Sequence, residues 1–295
     1  MTVSIPSIIK NRIKKLLSDV SYILHEGDMS RQIHVADIDE TIRILQDTDK
    51  SLVRFGDGEM LMISGRKIGF QSYDEKLSGE LAGIITSRDE GLIVALPDIF
   101  NGLDKYVPST AAFWKEHLFF YRKKYLQYCS SDYRYGSAFF SRCYMSMKDK
   151  SRSGEYFREI RKIWQGKRIV VVEGAMTHNG VGNDLFDECE SVERIICPSS
   201  DAYARMDEIV ELCEQHDKDK IFLVSLGPAA KSLVKRLYDS GFRALDIGQL
   251  DTEYDWFREG GSQKHPLAKH KLISRQDNAA AGYDAYLAQI MAVVE

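Results

Sequence analysis

A pair of carboxylates separated by a single glycine follows the first strongly apolar run of the chain. Asp57 and Glu59 belong to the segment Ser51-Leu-Val-Arg-Phe-Gly-Asp-Gly-Glu59, in which glycines on either side of Asp57 let the backbone turn tightly. In an extended or turn conformation both carboxylates can converge on one cation, and Mg²⁺ or Mn²⁺ prefers such oxygen ligands together with water and phosphate oxygens. Arg54 adds a fixed positive charge that suits phosphate. We therefore predict an Asp-x-Glu metal site that holds the diphosphate of a nucleotide-sugar, although a hydrated Asp-Gly hairpin turn would have the same sequence.

A glycine-rich loop, 174–183, is the second candidate segment for ligand binding. Its end, Gly180-Val-Gly-Asn183, precedes what reads as a helix start, with Asn183 or Asp184 as the N-cap. Free N–H groups at a helix start bind phosphate. NAD or S-adenosylmethionine would also suit such a loop, but Gly-x-Gly-x-x-Gly is absent and the next strand ends in Pro198-Ser199-Ser200 where those cofactors usually need an acid. We predict a phosphate-binding loop and keep these two cofactors as weaker alternatives.

An acidic cluster surrounds the last predicted strand and is the third candidate. Asp246, Asp251, Glu253 and Asp255 lie close together in sequence, beside Trp256. One of these acids could act as the general base for an acceptor hydroxyl, with Trp256 as a platform for a sugar ring. Alternatively, Glu253 and Asp255 cap a helix and Trp256 fills the core. Both interpretations stay open at the level of sequence.

Short apolar strands that alternate with helical segments of 10–15 residues position these loops. This alternation predicts βαβ units, and right-handed crossovers place every loop that follows a strand on the same edge of a parallel sheet, where ligands bind. The predicted fold class is α/β, a Rossmann-like and mostly parallel sheet flanked by helices. The predicted strands are 51–55, 91–97, 136–144, 167–173, 194–197, 220–226 and 243–248.

Composition excludes several classes of protein. The 295 residues are 44% hydrophobic and 28% charged, with a net charge of −4, so there is no general basic surface for nucleic acid. The cysteines number five, are scattered and form no Cys-x-x-Cys pair, which argues against a disulfide framework and for a reducing compartment. We see neither a signal peptide nor a run of about 20 apolar residues that would span a membrane. We therefore expect a cytoplasmic protein.

The two ends of the chain read as helices outside the main domain. Residues 6–25 form an amphipathic pattern with basic residues opposite the apolar side, which predicts a helix packed on its own domain or on a second subunit. An anionic membrane surface is the alternative. The segment 278–294 predicts a last helix. We therefore expect an N-terminal helical arm (1–35), a single α/β domain (36–275) and a C-terminal helix (276–295).

Several separated motifs resemble one family, the GT-D-type glycosyltransferases, which add sugars in bacterial surface glycoprotein and polysaccharide assembly. The resemblance runs from about residue 50 to 260. The motifs that carry it are Arg54-Phe-Gly-Asp-Gly-Glu59, Phe140-Ser-Arg142 with Tyr144, Val172-Glu-Gly174, Gly180-Val-Gly-Asn-Asp-Leu-Phe186, Ile196-Cys-Pro198, and Asp246-Ile-Gly248 followed by Asp251-x-Glu-Tyr-x-Trp256.

The resemblance implies a metal-dependent enzyme. A hexose, with glucose as the leading candidate, would pass from a UDP-sugar to a glycan or glycoprotein acceptor. Asp57 and Glu59 would bind Mn²⁺ or Mg²⁺, and Arg54 would lie beside the diphosphate. The resemblance also implies a binding pocket completed by strand-end loops, with the candidate residues Phe55, Gly56, Arg142, Gly180, Gly182, Asn183, Asp184, Ser199, Gly227 and Gln249.

Two positions depart from the pattern expected of the family. Gln249 stands where a histidine is expected as base, which would leave Asp251 or Glu253 in that role, and the loop 176–179 lacks the expected lysine or arginine. A nucleotide-dependent methyltransferase and a non-catalytic sugar-nucleotide-binding subunit of a glycosylation complex are the alternative functions. Contact with such a complex through the N-terminal helix, or formation of a homo-oligomer, is compatible with the sequence.

Overall fold

The computed structural model describes residues 7–271 and 282–295, and its centre is a nine-stranded parallel sheet. In spatial order the strands are β1-β4-β3-β2-β8-β7-β5-β6-β9, and every neighbouring pair is parallel. The strands are β1 (His34–Val35), β2 (Ser51–Arg54), β3 (Leu92–Leu96), β4 (Arg134–Ser137), β5 (Arg168–Gly174), β6 (Ser191–Cys197), β7 (Ile221–Ser225), β8 (Arg243–Asp246) and β9 (Ile290–Val293).

Helices cover both faces of this sheet, as a parallel sheet requires. Strands β2 and β3 are buried along their whole length, which is why they read as continuous apolar runs in the sequence. The prediction of a Rossmann-like α/β fold is therefore confirmed. The helices are α1 (Ser7–Gln32), α2 (Ile38–Asp47), α3 (Asp57–Ile63), α4 (Glu75–Ile85), α5 (Pro108–Tyr128), α6 (Ser153–Lys162), α7 (Met206–Glu214), α8 (Ala229–Asp239), α9 (Leu250–Arg258) and α10 (Tyr283–Ala288).

The neighbouring strands β2 and β8 mark a reversal in strand order. After β2 the chain runs to β3 on one side, whereas after β8 it runs through α9 towards β9 at the opposite edge. The connections that follow β2 and β8 therefore leave the carboxyl ends of these strands towards opposite edges of the sheet. A crevice at such a switch point is the usual ligand site of an open α/β sheet.

Two predicted elements differ from the structure. The predicted strand 136–144 ends early, because β4 stops at Ser137 and a 3₁₀ turn, Ala138–Ser141, follows it. The predicted helix start at Asp184 is wrong, since 185–188 forms a turn. The side-chain oxygen of Asn183 accepts the N–H of Leu185 in a local bond that competes with a helix. The indole N–H of Trp164 donates to the Leu185 carbonyl, so this carbonyl serves a tertiary contact.

The C-terminal segment also differs from the single helix predicted for 278–294. Positions 278–281 lie outside the described residues, and the rest forms the short α10 followed by β9, which pairs with β6. Arg194 of β6 explains the switch to a strand, because its N–H donates to the Gln289 carbonyl at 2.8 Å and its Nε donates to Oε1 of the same glutamine at 2.8 Å. These bonds align the chain beside the sheet edge.

Helix α1 packs on α5, so it contacts its own domain, which is one of the two partners expected from the sequence. Ser18, Tyr22 and Met29 are buried in this contact, whereas the large apolar residues of α1 point to solvent. The apolar side of the helix is therefore not used within the described part of the chain. Within the described ranges, no helix combines the length and the apolar character needed to cross a membrane.

Candidate active site

A cavity of about 420 Å³ lies at the carboxyl ends of β2, β3, β4, β7 and β8, which is the crevice expected from the strand order. Its volume is within the range of small-molecule sites. Eight of the residues predicted from sequence line it, namely Arg54, Phe55, Gly56, Asp57, Glu59, Arg142, Gly227 and Gln249.

The acidic segment is the first turn of α3 and not a hairpin. Gly56 is the N-cap, Asp57 is the first helical residue and Glu59 is the third. Oε2 of Glu59 accepts the Gly56 N–H at 2.7 Å, which stabilises the helix start. Both carboxylates line the same cavity, and they do so from the first turn of a helix instead of an extended turn.

A buried chain of four charges ties this helix to the sheet. Lys231 of α8 donates to Oε1 of Glu59 at 2.7 Å and to Oδ2 of Asp246 at 3.0 Å, and Oδ1 of Asp246 accepts from Nη2 of Arg54 at 3.0 Å. Burial alone would raise the pKa of Asp246, but the charges of Arg54 and Lys231 outweigh it and lower this pKa. Two cations and two carboxylates balance here, so Arg54 lies on the cavity wall with its charge already paired.

The backbone and surroundings of position 248 explain why the segment Asp246-Ile-Gly248 ends in glycine. Its φ of +48° lies in the left-handed region, and a Cβ at this position would lie 1.5 Å from Nη2 of Arg54. Only glycine leaves room for the guanidinium to reach Asp246. The hydroxyl of Ser225 donates to the Gly248 carbonyl at 2.7 Å and fixes this loop.

Arg142 and Asp57 differ from the other charges of the cavity. Within 7–271 and 282–295, neither side chain has a hydrogen bond or an ion pair. Burial lowers the pKa of the Arg142 guanidinium, and the nearby charge of Arg54 lowers it further. A half-buried guanidinium without an acceptor is suited to an anion that arrives from solution, above all a phosphate that offers two oxygens.

The residues around Asp57 fit a divalent cation if the ligand supplies further oxygens. No cluster of three or more His, Cys, Asp or Glu side chains with metal-ligand geometry occurs in the part of the chain that the structure describes. Asp57 is free, and each oxygen of Glu59 accepts one bond and keeps a second lone pair. Mg²⁺ is usually bound in this way, by one or two carboxylates with water and substrate phosphates.

Among the cavity residues that sequence reasoning missed, Lys231 and Phe70 matter most for the site. Lys231 is the one charged residue among the buried residues of α8, and a charge within this mostly apolar segment was the signal in the sequence that could have identified it. Phe70 is 49% exposed, and its ring lies so close to Gly227 that a Cβ there would be 2.3 Å from it. The loop of Phe70 is held by Asp201, whose Oδ1 accepts the Ser72 N–H at 2.6 Å. Phe70 thus forms an aromatic wall at the mouth of the cavity.

The predicted glycine loop borders a different cavity. Gly180, Gly182, Asn183 and Asp184 line a space of about 600 Å³ next to α10. Their strand, β5, is separated from β2 by two others, or about 14 Å. The amide of Asn183 donates to Asp251 and Asp255 at 2.7 and 2.8 Å.

Other groups of this loop are occupied as well. Asp184 pairs with Arg161 at 2.7 Å, and no helix starts here to supply free N–H groups. The predicted phosphate-binding role is therefore not supported. Ser199 is exposed and lines neither cavity.

The two acids predicted as alternative bases are buried on α9 and do not line the active cavity. Oδ1 of Asp251 accepts the Gly180 N–H at 2.7 Å, and its Oδ2 pairs with Lys269 at 2.5 Å. Glu253 accepts the N–H groups of Tyr144 and Met145 at 3.2 and 2.8 Å, and burial raises its pKa. Both carboxylates hold loops in place, so the structure argues against a base role for either.

The rest of the acidic cluster is structural too. Asp255 pairs with Lys269 at 2.5 Å, and the indole N–H of Trp256 donates to the His265 carbonyl at 3.0 Å. The ring of Trp256 is buried. The structural alternative therefore holds for Trp256, which is not a platform for a sugar.

A parallel α/β sheet with a charged cavity at its switch point is the arrangement in which open α/β domains usually bind small molecules. Comparison with known proteins narrows this class. The description "Glycosyltransferase GT-D fold" matches residues 52–276. The chain therefore belongs to the family of glycosyltransferases with the GT-D fold, as its motifs suggested.

Individual relatives agree with this assignment. The chain is 42% identical over 267 residues to "Probable glycosyl transferase Gly" of Streptococcus gordonii, covering 89% of this chain and 39% of that protein. It is 37% identical over 289 residues to "Glycosyltransferase GlyD" of Streptococcus pneumoniae serotype 4, covering 95% and 35%. A solved structure described as a "highly conserved domain of unknown function 1792" with "a distinct glycosyltransferase fold" superposes with a TM-score of 0.85 at 37% identity, covering 92% of this chain and 99% of that one. The chain thus spans less than half the length of both sequence relatives.

Proposed function

We propose that this chain transfers a hexose, with glucose as the leading candidate, from a UDP-sugar to a hydroxyl group of a glycan or glycoprotein, with Mn²⁺ or Mg²⁺ as cofactor. The observation that carries the proposal is the pair Arg142 and Asp57. Both line the cavity at the switch point, and neither has a partner within the described residues. A diphosphate would supply the anion for Arg142, and a divalent cation would supply the partner for Asp57.

In this proposal an oxygen of the acceptor attacks the anomeric carbon, and the bond from that carbon to the nucleoside diphosphate breaks. A cation held by Asp57, with Glu59 beside it, would act as a Lewis acid on the departing diphosphate. Arg142 stabilises the negative charge that grows on the same group. Lys231 orients Glu59 through their 2.7 Å ion pair, and Phe70 bounds the donor at the mouth of the cavity.

The proton of the acceptor hydroxyl needs a destination within the cavity. Gln249 cannot accept it at neutral pH, and Asp251 and Glu253 do not line the cavity. The carboxylates that do are Asp57 and Glu59. The proton therefore passes to one of these two or to the departing diphosphate.

The alternative of a non-catalytic subunit is supported by the contacts of Asp251 and Glu253. Since the acids predicted as bases hold loops in place, a sugar-nucleotide-binding subunit without turnover would also suit this cavity. The methyltransferase alternative has no such support, because the glycine loop that suggested it is occupied by internal contacts.

The test is release of nucleoside diphosphate from a panel of nucleotide-sugars, with Mn²⁺ and with EDTA. We expect metal-dependent release from one donor. Asp57→Asn should lower the rate at least ~100-fold, because it weakens a charge clamp worth several kcal/mol in the transition state. Asp132→Asn, at an exposed loop position, is the matched control and should leave the rate unchanged.

The other outcomes are equally informative. Metal-dependent UDP binding without release, in the presence of candidate glycan acceptors, would favour the non-catalytic subunit. Absence of both binding and release would refute the proposed site.

A further inference from the structure

Helix α1 carries an apolar stripe on the side that faces away from the domain. The residues buried against the domain, such as Ser18 and Tyr22, lie on the opposite side of the helix. The residues of the stripe are between 46% and 71% exposed. A monomer rarely exposes so many large aliphatic side chains in one contiguous patch. The stripe consists of Ile9, Ile13, Leu16, Leu17, Val20, Ile23 and Leu24.

The stripe has the spacing of a coiled-coil seam. Ile9, Ile13, Leu16, Val20 and Ile23 are separated alternately by four and three residues, which is the a/d pattern of a heptad repeat. Ile13 and Val20 occupy one of the two seam positions, and Ile9, Leu16 and Ile23 occupy the other. The pattern therefore predicts that the stripe packs against another helix.

Charges along one edge of the stripe indicate which helix that is. Arg12 and Glu26 lie two heptads apart on the same edge, and neither has an ion-pair partner within the described ranges. Asp19, midway between them, is already neutralised by Lys115 of α5 at 3.0 Å. The edge thus presents one free cation and one free anion, placed symmetrically about a neutralised centre.

We propose that two copies of this chain pair through α1 in an antiparallel, two-fold symmetric helix contact. In the register centred on Ser18, Leu16 packs against Val20 of the partner copy, and Ile13 packs against the partner copy's Ile23. The same register places Arg12 opposite Glu26 of the partner copy. Since the contact is two-fold symmetric, each of these pairs occurs twice.

A second copy fits the surface better than an anionic membrane does. The edge of the stripe carries acidic as well as basic residues, whereas a helix that lies on anionic lipid is basic along its polar edges. Phe119 and Phe120 of α5 are also exposed, and the Phe120 ring lies 5.5 Å from the ammonium group of Lys14 on α1. The proposal is independent of the chemistry assigned to the cavity.

The first experiment measures the mass of the intact chain by sedimentation equilibrium over a concentration series. We expect a dimer. Leu16→Glu should raise the dimer dissociation constant at least ~100-fold, because it buries a charge in the centre of the seam. Lys15→Glu adds the same side chain outside the seam and should leave the dimer intact. Because these positions are exposed, the fold should persist in both variants, and circular dichroism would verify it.

The second experiment tests the orientation by exchanging charges. Arg12→Glu and Glu26→Arg should each weaken the dimer about five-fold, and the double exchange should restore it. A wild-type monomer would overturn the proposal, as would a dimer insensitive to Leu16→Glu. Failure of the double exchange to restore pairing would overturn the antiparallel register. A monomer that co-sediments with phosphatidylglycerol vesicles would assign the stripe to a lipid surface instead.

Discussion

Replacement of Arg142 by glutamine should change ligand binding and fold stability in opposite directions. The guanidinium lines the cavity without a partner in the described part of the chain. A hydrogen bond to a charged group contributes about 1.5–3 kcal/mol, so Arg142→Gln should weaken UDP binding by about 10- to 150-fold.

The stability of the unliganded protein should rise in the same variant. Burial, followed by the charge of Arg54, lowers the pKa of Arg142, which means that its charged form is disfavoured in the folded state. Removing that charge should raise the free energy of unfolding by about 0.5–2 kcal/mol, the range of a typical stabilising substitution. A residue that lowers the stability of the fold but raises the affinity for a ligand is characteristic of a functional site.

Isothermal titration with UDP and Mn²⁺ measures the first effect, and guanidinium chloride unfolding without nucleotide measures the second. Arg158→Gln is the control, because that arginine lies on α6 with 67% of its side chain exposed. Arg142→Lys should bind UDP with intermediate affinity, since it keeps the charge but loses the planar fork. If Arg142→Gln binds UDP as tightly as wild type, or is less stable, the assignment of an anion site to this guanidinium is wrong.

Two further predictions concern the scaffold. Gly248→Ala should lower the free energy of unfolding by about 3–5 kcal/mol in a urea titration, because its Cβ would lie 1.5 Å from Nη2 of Arg54 and open a buried ion pair. Gly260→Ala, also at positive φ but with open space around it, should cost only about 1–2 kcal/mol, and equal losses would contradict the steric argument. Burial lowers the pKa of His117 from 6.5 to about 4, so the unfolded chain binds a proton that the fold excludes, and stability should be full above pH 6.5 and fall by up to about 3 kcal/mol towards pH 4. His117→Gln should flatten this slope in unfolding titrations across that window, exposed His34→Gln should not, and identical slopes for all three proteins would refute the prediction.

Local patterns were sufficient to predict the sheet and the edge of it that binds ligands. Fully buried parallel strands need apolar residues at every position, and this requirement is visible in single segments such as 91–97. The rule that loops after parallel strands share one edge then placed Arg54, Asp57, Arg142 and Gln249 at one edge of the sheet before any coordinates were known.

Side-chain partnerships could not be predicted in the same way. Asp246 and Lys231 belong to different βα units, and only their packing shows that they neutralise Arg54 and Glu59. The glycine loop looked like a phosphate site because its neighbour in space, Asp251, is about 70 residues away in sequence and accepts its N–H group. These two errors concerned contacts between segments that are distant in sequence.

The sequence by itself determined the fold class, the family and eight of the residues that line the active cavity, because periodicity and motif spacing are local properties of the chain. Tertiary structure decided which charges are paired and which are free. It also made 290–293 an edge strand and left the apolar side of α1 exposed. The physical reason is that hydrogen-bond partners, burial and exposed faces are set by packing between distant segments, which no local pattern encodes.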